Sequence, residues 1–244
     1  MGGGPGRSQK LVIILNSPEP KDTISNLRNK HSNLDIEYYN TKDKNLPKDV
    51  FKDADFLFTM SVIPEDPKKE APKLKWIHFF SAGINQVVGK PIWTDTPNVT
   101  LTTSSGVHGP QIAEWVVMTL LGVQHFFPQL HDLQKEHRWG DDKLWDEFRS
   151  SRDSVGQRIG ILGYGSIGRQ VGRVAKAMGM DVLAYTASPK DTPESKKDHD
   201  YYVPGIGDAD GSIPSAWYSG LEKEKLHEFL KQDLDFLLVA VPLT

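Results

Sequence analysis

Cysteine is absent from the 244 residues. That excludes disulfides, thiolate metal sites and cysteine nucleophiles in the chain. A surplus of either charge is also lacking: 29 Lys and Arg face 32 Asp and Glu, for a net charge of -3. A nucleic-acid platform would show a clustered basic excess. No run approaches the ~18–20 apolar residues of a membrane span. The opening MGGGPGRSQ lacks the apolar centre of a signal peptide. Gly2 resembles a myristoylation start, but position six is Gly6 rather than Ser or Thr. Residues 1–9 therefore read as a flexible tail on a soluble, cytoplasmic protein. With 38% hydrophobic and 25% charged residues, the remainder is long and apolar enough for one large domain or two ordinary ones.

Short apolar runs punctuate the first hundred residues. Lys10–Asn16 ends in a Pro18/Pro20 loop and reads as a buried strand, and a helix is expected around 21–31. Ile36–Tyr39, Asp55–Met60, Lys75–Ser81 and Val99–Thr102 read as further strands, spaced as in a parallel α/β sheet. Residues 110–127 then read as one long apolar helix opened by Pro110, hydrophobic round most of its circumference and expected to be buried between layers or domains. A polar amphipathic stretch (128–137) and a charged loop, Arg138–Asp153, follow. A second α/β unit begins at Arg158: strand 158–162, helix 166–179, strand 181–185, a solvated loop from Ser188 to Asp200, an irregular Gly-, Pro- and Ser-rich stretch 204–219, helix Leu221–Gln232 and strand Leu234–Val241. The domain joint is expected at the long helix, dividing the chain into 10–107 and 108–244.

Gly163-Tyr164-Gly165-Ser166-Ile167-Gly168 is G-x-G-x-x-G placed between an apolar strand and a helix, the context that gives the pattern meaning. Gly163 permits the tight turn, Gly165 lets backbone approach a pyrophosphate, and Gly168 lets helix and strand pack closely. The N–H groups of Ser166 and Ile167 at the helix start then face the anion, favoured by the helix dipole. Ser166 lacks the G-x-S-x-G spacing of a nucleophile elbow. The ribose of such a cofactor is read at the end of the next strand. There the sequence runs Ala184-Tyr185-Thr186-Ala187-Ser188-Pro189-Lys190, with no Asp or Glu; Asp181 lies at the wrong end. The absence tilts the reading toward NADP over NAD, with Thr186, Ser188 and Lys190 as candidate phosphate contacts. No Arg is present to grip a phosphate bidentately, and Lys190 reads almost as well as a solvated loop residue.

Several segments now converge: Ser81-Ala82-Gly83-Ile84-Asn85 after a strand, Thr103-Ser104-Ser105-Gly106 before Ile112-Ala113-Glu114, the turn at 163–168, and Val239-Ala240-Val241-Pro242-Leu243-Thr244. In this order the chain resembles the D-isomer-specific 2-hydroxyacid dehydrogenases over nearly its whole length after the tail. The resemblance implies a flavodoxin-like substrate domain and a Rossmann nucleotide-binding domain, incomplete here, joined by long helices. It implies that Ser81, Ala82 and Gly83 offer backbone N–H groups to a small carboxylate. It also implies a homodimer built by the arm 115–150, with Trp115, Phe126, Phe127 and Trp139 at the interface; the same residues read equally as ordinary core.

The family's chemistry needs an Arg that polarises the keto acid, a His that moves the proton and an acidic partner for that His. The resemblance puts all three after the V-P-L-T segment, so it assigns none of them to a residue of this chain. His108, beside Gly106, is the one weak catalytic candidate; His78, His125 and His131 read as structural. The strand 234–241 would be a bare edge, and an exposed apolar edge invites pairing unless something covers it. Three readings follow. The chain is a C-terminally truncated family member that binds NAD(P) but is inactive or impaired in hydride transfer. Alternatively, the fold is repurposed, with Ser104, Ser105, His108 and Trp115 lining a cleft for another reaction. In the third it is a non-enzymatic partner of a full-length homologue, its edge covered by a second copy or by that partner.

Other signals carry little. Asn98-Val99-Thr100 is a sequon without a secretory signal, Asp208-Ala209-Asp210-Gly211 lacks the remaining ligands of a calcium loop, and His131 and His137 do not share a helix face. No metal is expected.

Overall fold

The computed structural model describes residues 8–43, 46–149 and 151–241. Most of the expected tail, and Pro242-Leu243-Thr244 of the V-P-L-T segment, lie outside the described residues. The chain divides into two compact units, 1–105 and 106–244.

Unit 1 is a five-stranded parallel sheet in the order β2-β1-β3-β4-β5, formed by β1 (Gln9–Leu15), β2 (Leu34–Asn40), β3 (Phe56–Thr59), β4 (Trp76–Phe79) and β5 (Thr100–Thr103). This is the flavodoxin-like 2-1-3-4-5 order. Side chains alternate across a pleated strand, and β1 uses both sides: Val12 and Ile14 enter one core with Leu57, Ile77 and Phe79, while Ile13 enters the other with Ile24 and Ile36. Ile24 comes from α1 (Lys21–Lys30), and two single-turn helices, α2 (Pro67–Glu70) and α3 (Pro91–Thr94), close the crossovers.

Unit 2 opens with α4 (Gly109–Gln124), α5 (Phe127–Lys135) and α6 (Asp142–Arg149). The expected single helix over 110–127 is thus two. Pro128 has no N–H to give the Gln124 carbonyl and its ring would clash there, so the chain breaks at His125 and Phe126, the latter left-handed at φ 54°. Nor is α4 buried all round: Gly109 and Ala113 are buried, whereas Trp115, Met118 and Val123 are exposed. The expected loop Arg138–Asp153 contains α6, whose start is satisfied by Asp141 accepting the Leu144 N–H at 2.9 Å. Trp145 there packs against Trp139 and Phe148.

The second sheet has the order β8-β7-β6-β9, from β6 (Arg158–Leu162), β7 (Asp181–Thr186), β8 (Ala216–Ser219) and β9 (Phe236–Val239), all parallel. That is the 3-2-1-4 portion of a doubly wound nucleotide-binding sheet. The helix α7 (Ser166–Ala177) lays Gly168, Val171, Gly172 and Ala175 on the sheet, a stripe at helical spacing. Two corrections concern the segment after β7. Residues 204–219, expected to be irregular, end in β8, and the loop 188–200 holds a one-turn helix, α8 (Pro193–Lys196), closed by a Thr192–Ser195 capping box. The last strand is also shorter than the expected 234–241. It follows α9 (Lys223–Leu230) and lies at the sheet's end among the described residues.

Candidate functional site

In unit 2 the glycine turn joins β6 to α7. Gly163 has φ +99°, and a Cβ there would lie 2.6 Å from the Ala240 carbonyl oxygen. A Cβ on Gly168 would meet the Gly163 carbonyl oxygen at 2.3 Å and Ile161 at 3.0 Å. These two glycines are required by the fold. Gly165 differs: its φ of -87° suits any residue, and a Cβ would meet nothing within 4 Å among the described residues. Among the same residues no side chain caps α7, and its first backbone bond is Arg169 N–H to the Gly165 carbonyl at 2.8 Å. The preceding N–H groups, on Ser166, Ile167 and Gly168, therefore point outward without helical acceptors. An uncapped helix start behind a glycine with free space in front fits a pyrophosphate.

Beside the turn lies a cavity of about 250 Å³ at the C-terminal ends of β6, β7 and β8. Gly163, Thr186, Ala187, Leu226 and Val241 contribute to its largely apolar lining, with Glu222 and Lys223 as its charged residues. It is smaller than the ~300–1,000 Å³ that encloses a whole ligand, and in scale with the adenosine half of a dinucleotide. Of the three candidate phosphate contacts, only Thr186 lines it, and the Thr186 hydroxyl already donates to the Ser188 carbonyl at 2.7 Å. Ser188 is exposed and Lys190 half-buried, both outside the cavity lining. Glu222 and Lys223 escaped sequence reasoning because β8 did; without that strand nothing placed residues 220–223 beside the end of β7.

Behind the turn, the long β7–β8 connection is held by buried polar contacts. The Tyr164 hydroxyl donates to Asp208 at 3.0 Å, and Asp208 also accepts the N–H groups of Ser212 and Ile213. Burial, and then the Asp208 carboxylate, push the Tyr164 phenol well above its ordinary range. Arg169, 4% exposed, donates to the carbonyls of Asp208 (2.5 Å) and Lys196 (2.8 Å) and lies 3.5 Å from the Asp198 carboxylate.

In unit 1 the loop Ser81–Gly83 leaves the end of β4. Ser81 donates to the Gly83 carbonyl at 2.7 Å and accepts from Gln86, which also reaches the Met60 carbonyl. Ala82 and Gly83 are exposed, and among the described residues neither backbone N–H is donated. Two free N–H groups on a braced loop can accept an anion.

His78 sits nearby on β4. Trp76 Nε1 donates to Thr102 Oγ1 at 2.8 Å, leaving the Thr102 proton for His78 Nδ1 at 2.8 Å. His78 then carries its own proton on Nε2 and donates it to Ser104 Oγ at 3.0 Å, and Ser104 donates to the Phe79 carbonyl at 3.2 Å. This assignment, made from the hydrogen-bond balance, satisfies every group. Burial holds the imidazole below its usual value, hence neutral, and its ring stacks on Phe58. In this tautomer Nε2 donates to Ser104 rather than accepting its proton, an arrangement that does not activate the hydroxyl as a nucleophile.

His108 precedes α4 without a side-chain capping bond, and it has no carboxylate hydrogen-bonded to it among the described residues. Ser105 and Trp115 are exposed. His131 stacks on Phe127. No cluster of three metal-ligating side chains occurs among the described residues, and none of their helices is long and apolar enough to cross a membrane.

Comparison with known proteins adds to this geometry. Residues 117–205 match the family model for the D-isomer specific 2-hydroxyacid dehydrogenase, NAD binding domain. A putative 2-hydroxyacid dehydrogenase of Haemophilus influenzae is 28% identical over 176 residues, covering 71% of this chain and 55% of the relative. A glyoxylate reductase of Thermococcus gammatolerans is 25% identical over 249 residues, covering 96% of this chain and 64% of the relative. The chain therefore spans less than two thirds of these relatives. A D-isomer specific 2-hydroxyacid dehydrogenase from Xanthobacter autotrophicus, solved with NADPH and MES, superposes over 97% of this chain and 64% of its own, with TM-score 0.65 and 23% identity. A D-lactate dehydrogenase from Aquifex aeolicus, solved with NAD and lactic acid, superposes over 96% of this chain and 61% of its own, with TM-score 0.60 and 20% identity.

Proposed function

We propose that the chain is a member of the D-isomer specific 2-hydroxyacid dehydrogenase family, that its unit 2 holds NAD or NADP by the pyrophosphate at Gly163–Gly168, and that Ser81–Gly83 of unit 1 hold the carboxylate of a small 2-keto or 2-hydroxy acid. The observation that carries the reading is the open space before Gly165 at an uncapped helix start, next to an apolar cavity of adenosine scale. When bound, the dinucleotide supplies or takes the hydride. The residues of this chain do the holding: α7 N–H groups neutralise the pyrophosphate, Leu226 and Val241 exclude water from the adenine, and the Ala82 and Gly83 N–H groups orient the acid.

The resemblance assigns the family's Arg, acid and His to none of these 244 positions, and on that reading these residues alone bind with little turnover, since loss of general acid–base catalysis removes roughly 10²–10⁴ in rate. Titration of NADH and NADPH fluorescence should give saturable binding, whereas oxidation of either with glyoxylate, pyruvate or hydroxypyruvate should stay at background. Robust turnover would overturn the assignment of the missing groups, and absence of binding would overturn the site. A repurposed reaction at Ser104 is disfavoured by the proton carried on His78 Nε2. Association through the arm is favoured by the exposure of Trp115, Phe127 and Trp139, and light scattering on the eluting protein should give twice the chain mass.

A further inference from the structure

The end of β7 carries no carboxylate, which by itself points to NADP. The cavity beside it does contain one. Glu222 follows β8, and β8 pairs in register with β7, Thr186 opposite Ser219. The next residue, Gly220, donates its N–H to the Thr186 carbonyl at 3.2 Å. Glu222 then folds back over this junction: its Oε2 accepts the Leu221 N–H at 3.1 Å and lies 2.9 Å from where a Gly220 Cβ would stand. An acidic group is thus fixed one strand over from the position where an acidic residue reads the ribose in dinucleotide folds.

We propose that Glu222 determines the form of the cofactor: its carboxylate accepts the adenosine ribose hydroxyls and repels a 2′-phosphate, so that the chain takes NAD(H) in preference to NADP(H). This rests on the dinucleotide reading above. The competing group is Lys223, which lines the same cavity. Its ammonium rides on a flexible four-carbon stem and makes no ion pair among the described residues, so recruiting it costs side-chain entropy. The nearby Lys225 is already paired with Glu228 at 3.0 Å. Gly220 contributes as well, because any side chain there would collide with Glu222 and with Lys225 at 2.9 Å.

The test is a fluorescence titration of NADH and NADPH with the full chain and with Glu222→Gln and Lys223→Gln. Both substitutions are at exposed positions without a side-chain cap bond, and unchanged melting temperatures check the fold. The full chain should bind NADH about tenfold or more tighter than NADPH, the cost of a like charge held a few ångströms from a phosphate. Glu222→Gln should bring that ratio close to one, chiefly by tightening NADPH, and Lys223→Gln should not lower it. A preference for NADPH that Lys223→Gln removes, or an NADH preference that Glu222→Gln does not move, overturns the inference while leaving the dinucleotide site standing. Failure of both nucleotides to bind overturns the site, and the inference with it.

Discussion

Replacing Gly165 by alanine separates what the fold needs from what a ligand needs. The new methyl group meets no atom of the described residues within 4 Å, and the backbone at φ -87° and ψ -157° accepts a side chain. Losing glycine's freedom in the unfolded chain stabilises by about 0.4–1 kcal/mol, and the poorer helix-start preference of alanine takes back roughly 0.5 kcal/mol. The melting temperature should therefore stay within a degree or two. The ligand side is different. A methyl group standing in the open space displaces a pyrophosphate from the α7 N–H groups. Each hydrogen bond to a charged group contributes about 1.5–3 kcal/mol, so losing one or two weakens binding by roughly 10- to 1,000-fold or more. Parallel thermal melts and NADH and NADPH titrations of the full chain and Gly165→Ala measure both. Undiminished nucleotide affinity in a normally folded variant would show that the pyrophosphate does not lie there.

Gly168→Ala should do the reverse. Its Cβ would sit 2.3 Å from a backbone oxygen that cannot swing away, and such overpacking costs about 1–3 kcal/mol, visible as an earlier chemical-denaturation midpoint even without nucleotide. Arg169→Met keeps the stem but strips the buried guanidinium from the Lys196 and Asp208 carbonyls and the Asp198 carboxylate. Breaking one side of such a buried network costs about 3 kcal/mol or more, and limited proteolysis should then cut first within 187–215; cleavage unchanged from the parent would refute the clamp. Alkaline stability offers a third check. Tyr39 is pushed up to about 12, by burial and then the Glu37 carboxylate, and Tyr164 is raised as well. Both phenols ionise near pH 10 once unfolded, so the unfolded state releases protons first and stability falls as pH climbs above about 10. Tyr39→Phe should flatten that fall, and an unchanged slope would argue against the raised phenol.

Much of the architecture was legible because its signals are local. Val12, Ile13 and Ile14 form a run that only a strand buried on both faces uses well, and α7 announces itself by its glycine turn and by Val171 and Ala175 at helical spacing. The losses share one cause. Ala216–Ser219 is four residues long amid Gly, Pro and Ser, and it becomes a strand through its pairing with β7. The break at Gln124 was readable from Pro128, and α6 from Asp141 ahead of Leu144, Trp145 and Phe148, but the apolar run before the one and the charges around the other masked both.

The sequence by itself determined the glycine turn, since Gly163, Gly165 and Gly168 act through backbone conformation and space within one turn. It also supplied the exposed Ala82–Gly83 loop at a strand end. Tertiary structure alone decided which charged residues stand beside the end of β7 and which partners His78 meets. The first depends on β8 aligning Ser219 with Thr186. The second depends on β5 and the residue after it setting Thr102 and Ser104 against the two ring nitrogens. Both are pairings between residues more than twenty positions apart, brought together by neighbouring parallel strands whose long crossovers leave no tight turn to fix their register.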